Sequence, residues 1–187
     1  MILVNYRAYA GIGSRETPSE VLVLMEAAAA ALAKAGWVLR SGAAPGADSA
    51  FEKGCDSVGG AKEVFVPWPG FEGRQQVALA EPSAAAYEIA ASHHPAWARL
   101  KPGVQKLHAR NVHQILGANL EQPEMARFVL CWTKGARGSG GTGQALRIAR
   151  SRGIEIFDLA DATVRERIER WVGVAKAQPN EQQIEIF

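Results

Sequence analysis

Five short apolar runs, each followed by a stretch with helical signals, constrain this chain more than any other feature. The runs are 7–12, 37–41, 62–66, 127–132 and 154–158. Between them lie helical stretches over 21–35, from Asp48 onward with Phe51 and Cys55 four apart on one face, and over 83–91, 102–117, 142–152 and 162–172. The first helix opens on Thr17-Pro-Ser-Glu20, which reads as a capping box with Pro18 at the first helical position, and Gly36 stops it. Strands separated by helices need crossover connections, and crossovers make parallel pairs. The expected architecture is therefore α/β: a single doubly wound Rossmann-like domain, with a mostly parallel sheet of about five or more strands covered on both faces.

The 187 residues match one domain at roughly 100 to 200 residues each, assigned to 1–176 with a C-terminal tail over 177–187. Within that tail 184–187 is a candidate edge strand. Cys55 and Cys131 sit in apolar surroundings, and two thiols build neither a disulfide framework nor a structural zinc site, so a reducing cytoplasm is expected. The N-terminus lacks the basic start and long apolar run of a secretory signal, and no stretch approaches ~18 apolar residues, so no membrane partner is expected.

Net charge is only +2, yet the basic residues are unevenly placed. Between Glu88 and Glu121 there is no acid, while Arg99, Lys101, Lys106, Arg110 and all four histidines are present. Between Glu124 and Glu155 there is again none, against Arg127, Lys134, Arg137, Arg147, Arg150 and Arg152. Such segments either create a local positive field or form solvated helix faces.

In doubly wound sheets ligands sit beyond the carboxyl ends of the strands. Three of the loops there are glycine-rich: Gly11-Ile-Gly13-Ser14-Arg15, Ser41-Gly42-Ala-Ala-Pro-Gly46-Ala-Asp48, and Gly138-Ser139-Gly140-Gly141-Thr142-Gly143. Glycine lets backbone approach a ligand closely, and a helix N-terminus just beyond supplies unpaired N–H groups and a positive dipole end. One such loop is commonly a tight turn; three at one sheet edge point to a phosphate-bearing ligand.

The helix over 102–117 carries Val104, Leu107, Val112, Ile115 and Leu116 on a broad apolar face, with His108 and Asn111 in its middle. Lys106 and His113 are expected to point away. Arg110 falls about 60° beyond Leu107, at the border of the face, where a guanidinium reaches a cleft. His108 reads as a hydrogen-bonded core histidine, and Arg110 with Asn111 as functional. The rings of Trp68, Trp97 and Trp132 are candidates either to stack on a base or to pack on protein.

Other chemistries fit less well. Gly138-x-Gly140-x-x-Gly143 with Asp158 twenty residues on matches the letters of a dinucleotide fingerprint, but in the fourth β-α unit, whereas the first has Glu16 where the third glycine belongs. There is no Walker loop and no Gly-x-Ser-x-Gly elbow. The histidines are wrongly spaced for a shared ion, so no metal is expected, and no cofactor.

Taken in order, Gly-Ile-Gly-Ser-Arg15, Leu-Arg-Ser-Gly-Ala-Ala-Pro-Gly-Ala-Asp48, Ala-Arg-Asn111 and Gly-Ser-Gly-Gly-Thr-Gly-Gln-Ala145 resemble the SLOG superfamily over about 6–158. These are Rossmann-like nucleotide-binding proteins that include the DNA-processing protein A family and the "lonely guy" phosphoribohydrolases; the pattern is closest to small stand-alone bacterial and phage members. The resemblance implies a small nucleotide, or a ligand derived from one, held by Gly13, Ser14, Arg15, Ser41, Gly42, Gly46, Arg110, Asn111, Ser139, Gly140, Gly141, Thr142 and Gly143. In the phosphoribohydrolase branch a glutamate pair follows the last loop, where this chain has Gln144, Ala145, Leu146 and Arg147. N-glycosidic cleavage would then need a carboxylate from Asp48 or Glu16. Three functions stand: a domain that senses or sequesters a small nucleotide, a nucleotide N-glycosidase or related transferase, and a binder of single-stranded DNA. A homodimer is compatible with each.

Overall fold

A computed structural model describes residues 6–138 and 140–173. Five strands, β1 (Ala8–Gly13), β2 (Val38–Ser41), β3 (Lys62–Val64), β4 (Phe128–Trp132) and β5 (Glu155–Asp158), form one sheet in the order β3-β2-β1-β4-β5. Every pair is parallel: Ala8 lies opposite Val38, Gly13 opposite Trp132, and Phe128 opposite Glu155. The helices are α1 (Ser19–Lys34), α2 (Ala47–Asp56), α3 (Ala84–Ser92), α4 (Pro102–Leu116), α5 (Gly140–Ser151) and α6 (Ala162–Val172). The expected α/β architecture is what the chain adopts.

Two apolar layers hold it. On one face Tyr9, Leu39 and Leu130 pack against Leu24, Met25 and Leu32 of α1 and Phe51 and Cys55 of α2, with α6 at the margin. On the other, Ala10, Ile12, Val129 and Cys131 pack against α3, α4 and α5 through Ala90, Val112, Ile115, Leu146 and Ile148. Both cysteines are buried free thiols. Arg40 of β2, 1% exposed, is the largest fully buried side chain; its Nε meets Glu63 at 2.7 Å, Nη1 the Glu124 carbonyl at 2.5 Å and Nη2 the Tyr6 hydroxyl at 3.2 Å. It ties three distant segments together at the sheet end opposite the ligand loops.

Local expectations change in three places. The capping box does not form: Pro18 stands at the N-cap without a side-chain bond, and the Thr17 hydroxyl donates to the Ser14 carbonyl at 2.7 Å, because the turn leaving β1 takes it. The third strand ends at Val64; beyond it Phe65 bridges Leu79, and the Val66 N–H donates to the Leu79 carbonyl. His113 does not point to solvent. It is fully buried and stacked on Phe65 at 5.9 Å, since α3 and the segment before it cover that side of α4. Its Nδ1 lies 2.9 Å from the Gly117 carbonyl, which can only accept, so Nδ1 carries the proton and Nε2 accepts from the Ser83 N–H at 3.3 Å. The tail over 177–187, including 184–187, lies outside the described residues.

Candidate functional site

Strand order reverses direction between β1 and β4, and a doubly wound sheet opens a crevice at such a point. A cavity of about 520 Å³ lies there, walled by the loops after β1, β2 and β4, by α4, and by the start of α5.

The loop after β1 supplies Gly13, Ser14, Arg15 and Glu16 to the wall. A Cβ on Gly13 would stand 2.6 Å from that of Ala47, so this glycine lets β1 and α2 meet. Glu16 is exposed, 3.7 Å from Lys134, and its N–H donates to the Ser14 hydroxyl.

Behind it, the loop after β2 is held together by Asp48, near the start of α2. Its Oδ2 accepts from the Gly42 N–H at 3.2 Å, the Ala44 N–H at 3.3 Å and Arg110 Nη1 at 3.4 Å. Gly42 is obligatory, because a Cβ there would fall 1.2 Å from Arg110 Nη1. Gly46, at φ 88°, seats on the Ser14 carbonyl. The Ser41 hydroxyl donates to Glu52 at 2.7 Å, and Glu52 in turn meets Arg74 at 2.5 Å. Asp48 lines the cavity, whereas Ser41, Gly42 and Gly46 stand behind its wall.

After β4, Asp158 pins the loop. It accepts from the Thr133 N–H and hydroxyl and from the Ala160 N–H, while the Thr133 hydroxyl oxygen accepts from the Gly138 N–H. An acid so occupied is not free to read a ribose, which removes the support Asp158 lent to a dinucleotide fingerprint. At α5, Gly140, Gly141 and Thr142 line the cavity, and nothing lies within 4 Å of where a Cβ on Gly140 or Gly141 would be. Gly143 is different: its Cβ would meet the Gly138 carbonyl at 1.8 Å, so it serves packing. Ser139 lies outside the described residues. The first turn of α5 contains no acid, and its leading N–H groups have no partners within the helix.

Helix α4 forms the opposite wall with Val104, Leu107, His108, Arg110, Asn111 and Gln114. Asn111 donates to the Gly141 carbonyl at 3.2 Å and to Gln144 at 3.4 Å, locking α4 to the start of α5. Arg110 is 5% exposed, and its Nε has no hydrogen-bond partner among the described residues. Burial lowers its proton affinity, opposed by Asp48. Burial likewise pushes Asp48 up to about 6, although Arg110 and the two N–H groups pull the other way. Desolvation thus outweighs attraction for both partners of this long contact.

Of the residues singled out from sequence, Gly13, Ser14, Arg15, Glu16, Asp48, Arg110, Asn111, Gly140, Gly141 and Thr142 share the cavity. Four polar wall residues escaped that reading: His108, taken for core, Gln114, Thr133 and Lys134. Gln114 had a signal, since it falls about 20° beyond Leu107, at the border of the apolar face and between Leu107 and Arg110. Trp68, Trp97 and Trp132 do not line the cavity: Trp68 packs on Phe71, Trp97 on Tyr87 and His94, and Trp132 against the α1–α2 layer. Among the described residues no cluster of three or more His, Cys, Asp or Glu could hold a metal, and no helix is long and apolar enough to cross a membrane.

No family model matches the chain, and no curated protein matches it in sequence. Solved structures do. It is similar to the Moco carrier protein of Chlamydomonas rheinhardtii, with 13% identity, TM-score 0.50, and 89% of this chain and 84% of that one covered. It is also similar to DNA processing protein A from Streptococcus pneumoniae, with 16% identity, TM-score 0.51, and 91% of this chain but 57% of that one covered. A third, the structural-genomics target TM1055, aligns at 14% identity and TM-score 0.50 over 80% of this chain and 72% of that one. These likenesses show the fold alone: a Rossmann-like α/β domain with an all-parallel sheet, as the alternation of strands and helices predicts.

Proposed function

We propose that the chain is a SLOG-type domain that binds a nucleotide, or a ligand derived from one, in the cleft between β1 and β4. The phosphate lies at the start of α5, facing Gly140, Gly141 and Thr142, with Arg110 and Arg15 supplying positive charge. One observation carries this reading: a buried guanidinium with an unused N–H lines the same cavity as an acid-free helix N-terminus whose two glycines leave open space. A cleft built for an apolar or cationic guest would not concentrate donors in this way. Asp48, spent on the Gly42 and Ala44 N–H groups, orients the loop that carries Arg110's neighbourhood.

A second reading is cleavage of the N-glycosidic bond. What favours it is a wall carboxyl held near 6, where an acid can donate a proton at neutral pH. Against it, Gln144 occupies the place of the usual glutamate and is itself bonded to Asn111. Binding of single-stranded DNA is the third, and against it Trp68, Trp97 and Trp132 pack on other side chains and none of them lines the cleft.

Calorimetry with a panel of nucleoside monophosphates, cyclic nucleotides and NAD tests the first reading. Gly141→Asp places a carboxylate in the phosphate seat and should abolish binding, while unchanged affinity would refute the cradle. Chromatography of the incubated ligands separates binder from enzyme. Free base formed by the wild type, but not by Asp48→Asn or Glu16→Gln, would replace the binding reading with the second; oligonucleotide binding without mononucleotide binding would replace it with the third.

A further inference from the structure

Two polar side chains of the cavity wall each leave a nitrogen without a partner among the described residues, although His108 also has Gln144 beside it. Gln114 is 2% exposed and its Nε2 has no partner among the described residues; no side-chain hydrogen bond of any kind ties it down. The same cavity wall includes the apolar Ile12, Leu107 and Ala145. His108 is 6% exposed and its Nδ1 is likewise unpartnered, while its ring is steadied by His94 at 4.7 Å. A buried amide without a partner is disfavoured relative to an apolar side chain of the same size. An amide and an imidazole nitrogen, both unpartnered on one wall, fit an occupant that completes their bonding.

Their spacing says what kind. His108, Asn111 and Gln114 are three apart and form one ridge of α4, about 4.5 Å per step and so about 9 Å from end to end. The middle member is committed to Gly141 and Gln144, and the ends are open. That leaves a polar residue on either side of the point where α4 touches the start of α5, with Leu107 and Ile12 adding apolar surface to the lining. Apolar lining with one amide in it suits a planar heterocycle: the rings take the apolar surface, and an edge nitrogen or oxygen takes the amide, which offers both a donor and an acceptor.

We propose that Gln114 is the residue that reads the heterocyclic base of the bound ligand, with His108 holding a second polar atom of that ligand nearer the mouth. This rests on the nucleotide reading above. It assigns to Gln114 selection of the base, a role separate from the phosphate contacts of α5 and Arg110.

The test compares nucleoside 5′-monophosphates with ribose 5-phosphate, which shares their phosphate and sugar but has no base. Wild-type protein should bind its preferred monophosphate at least tenfold more tightly than ribose 5-phosphate. Gln114→Met keeps an unbranched chain of similar volume and removes the amide. It should lose that margin, keep its affinity for ribose 5-phosphate, and melt at the wild-type temperature or higher when unliganded, because a buried unpaired amide has gone. Gln114→Leu should behave alike. A variant that keeps the full margin, or both variants melting markedly lower without ligand, would overturn the role of Gln114, the latter by showing a structural one. Equal wild-type affinity for both ligands would also overturn it while leaving the phosphate seat intact; wild-type protein that binds neither would instead overturn the nucleotide reading on which it rests.

Discussion

The Asp48 carboxyl makes the stability of this fold depend on pH in an unusual direction. Most native carboxylates are stabilised in their charged form, so stability rises with pH through their titration. Asp48 is opposite, because burial lifts it from 3.8 to about 6 despite Arg110. Between those values the folded chain holds a proton that the unfolded chain has released, so stability falls as pH rises. Near 1.4 kcal/mol per unit, the whole effect is about 3 kcal/mol, fully present below 3.8 and gone above about 6. Of this about 2 kcal/mol is lost between pH 4.5 and 7.5. Asp48→Asn preserves the acceptor for the Gly42 and Ala44 N–H groups and has no proton to release. Urea unfolding of both proteins at the two pH values isolates the residue, since every other titrating group is shared. On going from pH 4.5 to 7.5 the wild type should lose about 2 kcal/mol relative to Asp48→Asn. A difference that stays constant, or grows in the wild type's favour, would refute the claim that desolvation dominates the buried pair.

Other consequences follow from the same geometry. Gly42→Ala drives a methyl into the Arg110 guanidinium, 1.2 Å from Nη1, and should lower stability on the order of 3 kcal/mol and abolish anion binding, read by unfolding and calorimetry. Gly143→Ala meets the Gly138 carbonyl and should cost roughly 1 to 3 kcal/mol in thermal unfolding, whereas Gly141→Ala meets nothing and should leave the melting temperature unchanged or higher through better helix propensity. Sulfate, which does not titrate in this range, should bind more tightly at pH 5 than at 7.5, because protonated Asp48 no longer neutralises Arg110; Asp48→Asn should lose most of that dependence.

Strand and helix order could be read from the sequence because each element carries its own signal: a short apolar run bounded by glycine, or a cap and a period. The position of His113 could not. A helical wheel assumes one buried face, but every residue of α4 from His108 to Leu116 is buried, because α3 closes over its second side. Helix α3 is a short, alanine-rich segment, and alanine marks no face strongly enough to announce what it covers. The glycines show the same limit at the site. Gly42, Gly46 and Gly143 look in sequence like Gly140 and Gly141, yet the first three make room for protein and the last two leave room for something else. Only the neighbours of the missing Cβ distinguish them, and those come from other segments of the chain.

That division explains why the cleft is both rigid and unsatisfied. Packing glycines bring the loops after β1 and β2 into contact, and Asp158 and Asn111 fix the loop after β4 and the start of α5, so the wall cannot collapse to pair its own polar groups. Arg110 Nε, Gln114 Nε2 and His108 Nδ1 are left without partners among the described residues, on three α4 residues that line the crevice. A wall free to relax would have buried these groups against acceptors elsewhere. Holding them apart is preorganisation: the ordering cost is met on folding, and a ligand with a phosphate at one end and a polar ring edge at the other finds its donors already in place.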